Sequence, residues 1–456
     1  MKTRGKILVI LFFGVFLGAL DISIAGPALA AIATDIHIPE NQLSLIFTLY
    51  ILSNLVGLPL LGRLSDVTGR RLVFRTGLGI FILGSLITGS AEASLQLFIG
   101  RSLQGLGAAG IFPVATAVIG DIFPPDRRGR ALGTIGAVFG IAFMFGPPFA
   151  ALILKYFSWH YLFLLNVPVA LLIFVGSYML PGKIPQKKSS LNISGIFLMA
   201  LFLVLFTLTF TYSRLQWPFD RETKFEISDL YPFATLLSFL ILSWHEKRAD
   251  NPVLNIQFLR IRQVLLAGLL AVGLGLSQSV FVFIPRITVD YFDVPVWKAG
   301  LMLMPAILGS AIASPLAGRL IDSQGSKIVI KTGLILASAG FIIFGLWGEN
   351  LYLFYFSGIL IGVGLAIRPG LNYIILNEAG ATYRATAQGV LTVYVSMGQI
   401  AGTAFIGNAM ATNQRGNYAF LLFGVLIAIL ALISFFLKKH TQEAFSEEQS
   451  TGPGEK

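Results

Sequence analysis

Gly62-Arg63-Leu64-Ser65-Asp66-Val67-Thr68-Gly69-Arg70-Arg71-Leu72-Val73-Phe74 returns 256 residues later as Gly318-Arg319-Leu320-Ile321-Asp322-Ser323-Gln324-Gly325-Ser326-Lys327-Ile328-Val329-Ile330. Both copies join one apolar stretch to the next, and both continue alike, as Thr76-Gly77-Leu78 and Thr332-Gly333-Leu334. At the same spacing Arg128 meets Arg384 and Gly133 meets Gly389. Apolar stretches resemble one another by composition alone. Composition does not place a glycine, an aspartate and a second glycine in register within a polar loop. The chain therefore reads as two related halves in the same orientation. Glycine at Gly62, Gly69, Gly318 and Gly325 permits tight turns. Asp66 and Asp322 can each meet an arginine or the positive end of a helix, a contact able to hold one conformation and release in another. A solvated turn is the plainer alternative, and the repetition argues against it.

Outward from these loops the chain is a succession of apolar runs. It has 456 residues, 55% of them hydrophobic and only 12% charged, against about one-quarter charged in a soluble domain. A lipid-facing surface accounts for the deficit. A helix rises 1.5 Å per residue, so a ~30 Å hydrocarbon core needs ~20 apolar residues. Fourteen runs qualify, near 7–27, 43–61, 73–92, 95–119, 131–153, 161–180, 192–212, 230–244, 264–286, 299–321, 328–346, 352–375, 386–410 and 418–437. The expected fold class is an all-α polytopic membrane protein: two six-helix bundles with two further helices inserted between them. The divisions fall at 1–182, 183–262, 263–440 and a disordered cytoplasmic tail at 441–456. Lys2, Arg4 and Lys6 before an apolar run, with Ala28-Leu29-Ala30 after it, also have the layout of a signal peptide. The run from Ile7 to Pro27 exceeds the roughly 7–15 residues of a signal core, so it is read as an uncleaved first span.

The net charge of +11 does not form a continuous basic face, so no nucleic-acid partner is expected. With the N-terminus inside, twenty-four of the 33 lysines and arginines fall in inside segments, seven outside, and Arg101 and Arg368 within spans. That asymmetry places both termini in the cytoplasm. There is no cysteine, which excludes disulfides and thiolate metal sites. His37, His160, His245 and His440 all lie at the ends of apolar runs, so no metal is expected. Nor is a cofactor: there is no nucleotide-binding loop and no cluster of catalytic residues. An enzyme or a sensor with a soluble output domain is disfavoured. Two parallel halves suit alternating access to a site at their interface.

Several segments resemble the major facilitator superfamily. Gly62, Leu64, Asp66, Gly69, Arg70 and Arg71 match its signature for the loop between spans two and three, with Val67 replacing one usual basic position. Arg101-Ser102-Leu103-Gln104-Gly105-Leu106-Gly107-Ala108-Ala109 is similar to its span-four signature. Leu20-Asp21-Ile22-Ser23-Ile24 with Ala28-Leu29 resembles span one of its fourteen-span drug:proton antiporters. Ser158-Trp159-His160-Tyr161-Leu162-Phe163 with Asn166-Val167-Pro168 looks like their segment before span six, and Glu246 to Leu254, with Asn251-Pro252, like that before span nine. Where those antiporters carry glycine-proline-x-x-glycine-glycine in span five, this chain has Gly146-Pro147-Pro148-Phe149-Ala150-Ala151. The resemblance implies a secondary transporter in the bacterial inner membrane that exchanges protons for a lipophilic or cationic small molecule and works as a monomer. It implies that the loop carrying Asp66 gates the cytoplasmic side and that Arg101 serves proton coupling. The alternatives are an uptake permease or an exporter of an endogenous lipid or metabolite.

Charges inside the bilayer are costly and mark pathways or pairs. Asp21 lies roughly 22 Å from the cytoplasmic edge and Arg101 roughly 9 Å from the outer edge, so the two sit at similar depth. We expect Asp21 to bind the coupling proton, Arg101 to tune its proton affinity, and Gln104 to belong to the same cavity; a static structural pair is the alternative. Arg368, deep in span twelve, is placed either on a polar substrate group or snorkelling toward Glu378. Its counterpart in the repeat is Phe112. Phe139, Phe143 and Phe145, near the span-five motif, would suit an aromatic cavity.

The repeat makes a topological prediction that the cysteine-free background renders clean. Single cysteines at Thr68 and Gln324, equivalent positions in the two loops, should react with an impermeant thiol reagent from the same side of the membrane. Labelling from opposite sides would refute the parallel arrangement.

Overall fold

The computed structural model describes residues 2–122, 125–182, 192–212, 227–249, 252, 261–411 and 417–438. No strand occurs among them. The helices are α1 (Lys2–Asp35), α2 (Glu40–Leu43), α3 (Leu45–Thr68), α4 (Arg70–Gly89), α5 (Ser94–Ala109), α6 (Phe112–Ile122), α7 (Pro125–Tyr156), α8 (His160–Leu164) and α9 (Asn166–Gly176). They continue as α10 (Ile193–Tyr212), α11 (Tyr231–Glu246), α12 (Arg262–Phe292), α13 (Val296–Leu301), α14 (Met304–Gln324), α15 (Ser326–Trp347), α16 (Leu351–Gly364), α17 (Arg368–Ala411) and α18 (Asn417–Ile433).

Twelve helical segments among the described residues are long and apolar enough to cross a membrane. Ile141–Tyr156 within α7 forms a shorter apolar helix, at the place of the fifth expected span. The eighth is α11, of 16 residues, or about 24 Å of rise. The expected tail at 441–456, Asn251 before span nine, and the side chains of Arg128, Gly133, Arg384, Gly389, Phe139, Asp66 and Asp322 lie outside the described residues. Leu172, Phe233 and Ile193 expose 74%, 72% and 68% of their surface. Such exposure is normal against hydrocarbon and would be a liability in water.

The chain divides into two compact units. Unit 1 comprises Met1–Thr207 with Ile284–Val289 and Asp293–Leu301; unit 2 comprises Leu208–Phe283, Asp290–Phe292 and Met302–Lys456. The core of unit 1 gathers Leu11, Val15, Phe74, Leu78, Phe81 and Val114. In unit 2 the rings of Phe344 and Phe420 lie 4.3 Å apart, with Phe354 against Phe344 at 5.6 Å.

The repeat seen in the loops extends to atomic contacts inside each unit. Gly69 (φ 107°) and Gly325 (φ 86°) are the two positive-φ glycines among the described residues. With ψ of 146° and 166° they adopt a backbone essentially closed to other residues. Each turns the chain directly from one span into the next, and their N–H groups bond to the carbonyls of Ser65 (3.1 Å) and Ile321 (2.9 Å). A second pair is Gly146 and Gly402: a Cβ on either would fall 1.9 Å from Ser23 Oγ or 2.1 Å from Ser279 Oγ. Span one thus presses on span five in unit 1 as span nine presses on span thirteen in unit 2, with small residues at both crossings.

The third correspondence concerns the basic residues after the turn. Arg71 Nε donates to the carbonyl of Leu180 at 2.6 Å, and Lys327 Nζ donates to those of Leu437 (2.9 Å) and Phe435 (2.5 Å). One turn later, Arg75 Nη2 donates to Tyr178 Oη at 2.7 Å with its guanidinium 3.9 Å from that ring, and Lys331 lies 5.1 Å from the Phe435 ring. The receiving segments match as well. Ser177–Met179 and Ser434–Phe436 are 3₁₀ turns, and extended Leu180 and Leu437 follow them. Two cations one turn apart thus cap the carbonyl end of the last helix in each bundle, where helix dipoles favour positive charge. Arg70 turns elsewhere, to Asp121 Oδ2 (3.1 Å) and Ser65 Oγ (2.7 Å).

Replacing Gly69 or Gly325 by alanine should cost about 1–3 kcal/mol of stability, read as a lower midpoint of thermal unfolding in detergent. Gly62→Ala, where a Cβ meets open space, is the matched control and should shift the midpoint little.

Candidate functional site

Asp21 sits two residues before Ser23, whose hydroxyl donates to the carbonyl of Ala142 at 3.1 Å and so fixes α1 against α7. Arg101 and Gln104 are three apart on α5 and share a face. The three side chains are wholly buried, and they meet. Asp21 Oδ2 accepts from Arg101 Nη1 at 2.6 Å; Asp21 Oδ1 accepts from Gln104 Nε2 at 2.9 Å and from Asn166 Nδ2 at 2.7 Å.

The cluster is held by further bonds. Gln104 Oε1 accepts from Arg101 Nη1 (2.8 Å) and Thr88 Oγ1 (3.2 Å), and Gln104 Nε2 also donates to Ser85 Oγ (3.0 Å). Arg101 Nε donates to the carbonyl of Ile46 at 3.2 Å, and its guanidinium carbon lies 4.5 Å from the centre of the Tyr50 ring. Helices α1, α3, α4, α5 and α9 all contribute. Asp21 has three donors, so its negative charge is matched by hydrogen bonds as well as by the guanidinium. Arg101 Nη2 is buried without a hydrogen-bond partner among the described residues, which leaves that arm of the cation served by aromatic faces. A network of this kind is stable only while every member keeps its partner.

The sequence reading identified Asp21, Arg101 and Gln104 and missed Asn166, Ser85, Thr88 and Tyr50. Asn166 was legible as a polar residue in the apolar run Leu162–Val169, where an amide needs a partner. Ser85 and Thr88 carry no such signal, because their hydroxyls in membrane helices commonly bond to their own backbone, and Tyr50 is one of many aromatic residues in apolar runs.

Gly146 and Pro147 are both buried on α7, and Gly146 makes the crossing with Ser23 described above. Arg368 lies at the first residue of α17, exposed, and makes no hydrogen bond or ion pair with the described residues. Glu378, toward which Arg368 was expected to snorkel, pairs with Lys438. The repeat counterparts of Asp21 and Arg101 are Ser277 and Ser357. Both are buried and bond to carbonyls of their own helices, Gly273 at 2.9 Å and Phe354 at 2.8 Å. The charged cluster is therefore a property of unit 1 with no twin at the matching positions of unit 2.

If Asn166 supports the carboxylate, Asn166→Leu should destabilise the protein by about 1–3 kcal/mol, and less in an Asp21→Asn background. A double-mutant cycle on thermal unfolding measures this. Strict additivity would show that the two side chains do not depend on each other.

The sequence profile of the Major Facilitator Superfamily matches residues 11–323 and 298–454. The uncharacterized MFS-type transporter YfiU of Bacillus subtilis (strain 168) is 33% identical over 407 residues, covering 86% of this chain and 77% of that protein. Multidrug resistance protein 3 of the same organism is 27% identical over 419 residues, covering 89% and 79%. Among solved structures, a POT family transporter in complex with 5-aminolevulinic acid shares the fold, with a TM-score of 0.71 at 17% identity over 94% of this chain and 95% of that one.

Proposed function

The chain belongs to the major facilitator superfamily and is a multi-pass membrane transporter; from that premise we propose that it exports lipophilic or cationic small molecules in exchange for protons. The observation that carries this reading is the buried Asp21–Arg101–Gln104–Asn166 cluster. A carboxylate closed off from water and held by a cation is a group whose protonation changes local structure. A proton on Asp21 cancels its charge and removes the attraction that holds Arg101. The arginine is then an uncompensated buried charge, a state costing about 3–5 kcal/mol, and the helices that enclose it rearrange to hydrate it. Release of the proton on the other side restores the pair. That cycle ties one proton to one conformational exchange.

Further support comes from likeness and surface chemistry. One relative is named a multidrug resistance protein. On α7, Phe143 and Phe145 are exposed by 37% and 55%, and such rings attract apolar and cationic ligands. In this reading the two bundles at 1–182 and 263–440 alternate access to a shared site. The glycine–aspartate loops of Gly62, Asp66, Gly69 and Gly318, Asp322, Gly325 gate the cytoplasmic side, both termini are cytoplasmic, and one chain suffices in a bacterial inner membrane.

A second reading, uptake, draws on one observation. Span five reads Gly146-Pro147-Pro148-Phe149-Ala150-Ala151, without the later glycines of the antiporter pattern, and Ala150 and Ala151 are buried.

Proteoliposomes with an imposed pH gradient test both. Wild-type protein should move tetraphenylphosphonium against its gradient in exchange for protons. Asp21→Asn should abolish the proton-driven movement while substrate binding persists. Normal proton-driven rates in Asp21→Asn would sink the coupling role, and movement with the protons would favour uptake.

A further inference from the structure

Where unit 1 has Ile22 on span one and Phe143 on span five, unit 2 has Gln278 on α12 and Gln399 on α17 at the equivalent places. Gln399 Nε2 donates to Gln278 Oε1 at 2.9 Å. Both residues are half-buried, and each lies near the middle of its apolar span, Arg262–Phe292 and Val390–Met410. Their spacing follows from the backbone. A Cβ on Gly275 would fall 2.0 Å from the carbonyl oxygen of Val395, and one on Gly398 would fall 2.1 Å from that of Val272. With the Ser279–Gly402 contact, this packs the two helices backbone to backbone and sets the amides beside the seam.

One hydrogen bond does not use up two amides. In either bonded arrangement of the two amides the pair retains one carbonyl oxygen and one NH₂ beyond their mutual bond, and neither side chain has another hydrogen-bond partner among the described residues. A half-exposed amide at this depth is costly against hydrocarbon. The seam itself does not require it, since unit 1 keeps the Ser–Gly crossing with Ile22 and Phe143 alongside. The amides are thus an addition to the packing, and the bonded pair keeps a donor and an acceptor in hand.

We propose that Gln278 and Gln399 form a recognition site for a neutral planar group that carries a donor next to an acceptor: the edge of an imide, a lactam or a carboxamide. The site rests on the transporter reading and narrows its substrate class. It recognises by hydrogen bonding, separately from the charge chemistry of Asp21 and Arg101. A site built this way rejects a ligand whose donor is blocked, because its own buried polar groups are then left unpaired.

The test uses full-length protein in proteoliposomes and three probes: 4-amino-1,8-naphthalimide with a free imide N–H, its N-methyl imide analogue, and tetraphenylphosphonium. Each neutral hydrogen bond is worth roughly two- to tenfold in kcat/KM, so wild-type protein should prefer the free imide by that factor. Gln278→Leu and Gln399→Leu should bring the ratio close to one and leave tetraphenylphosphonium transport unchanged. Gln399→Glu, which keeps the size and can still accept from Gln278, covers the case in which a leucine variant does not fold; it should also alter the ratio. An unchanged ratio in the variants, or an equal loss of all three probes, overturns the proposal. So does a wild type that moves the cation but neither naphthalimide, a result that leaves the export reading standing. A wild type that discriminates the imides but ignores the cation supports the site and removes cations from the substrate class.

Discussion

An ion pair removed from water on every side constrains this protein more than any other contact. Asp21 and Arg101 are 0% exposed, in a medium where separating opposite charges is expensive. Five helices of unit 1 supply the atoms that make such burial tolerable: two amides, two hydroxyl-bearing side chains, a backbone carbonyl and two aromatic faces. None of these helices can shift far without removing a partner from a charge. The interior of unit 1 is in this sense organised by electrostatics, and its close helix crossings are where small residues allow the polar atoms to meet.

Unit 2 is built on the same backbone plan and lacks that constraint. Its matching positions hold serines that bond to their own helices, and its mid-span polarity lies in neutral amides. The packing devices survive in both halves: the Gly69 and Gly325 turns, the Ser–Gly crossings, and the cations over the end of the last helix. The two halves share what holds helices together and differ in the groups able to carry a charge.

Much of this was legible before any coordinates. The apolar runs predicted an all-helical membrane chain, of which twelve described helices are long and apolar enough to cross, because span length is imposed by the bilayer. The Asp21–Arg101 contact could be anticipated because two charges at one depth must find each other. Asn166 was harder: one amide in an apolar run signals a partner without saying which. Ser85 and Thr88 were not legible, since nothing along the chain tells a hydroxyl that bonds to its own helix from one that reaches across, and nothing marks Tyr50 among the other aromatic residues as the ring beside Arg101. Gln278 and Gln399 lie 121 positions apart, and only the glycine seam shows that they belong together. Glu378 pairs with Lys438, far along the chain, a contact that no spacing in the sequence signals.

The clasps of Arg71 on Leu180 and of Lys327 on Leu437 bear on how a chain of this kind can grow. Each bundle fastens its own final helix before the polypeptide runs on, so whatever follows Leu180 departs from a point already secured. Additional helices can then be spliced in at that junction without loosening the bundle that precedes them. The apolar helices α10 and α11 follow Leu180 along the chain, in the stretch that the sequence marks as an expected insertion.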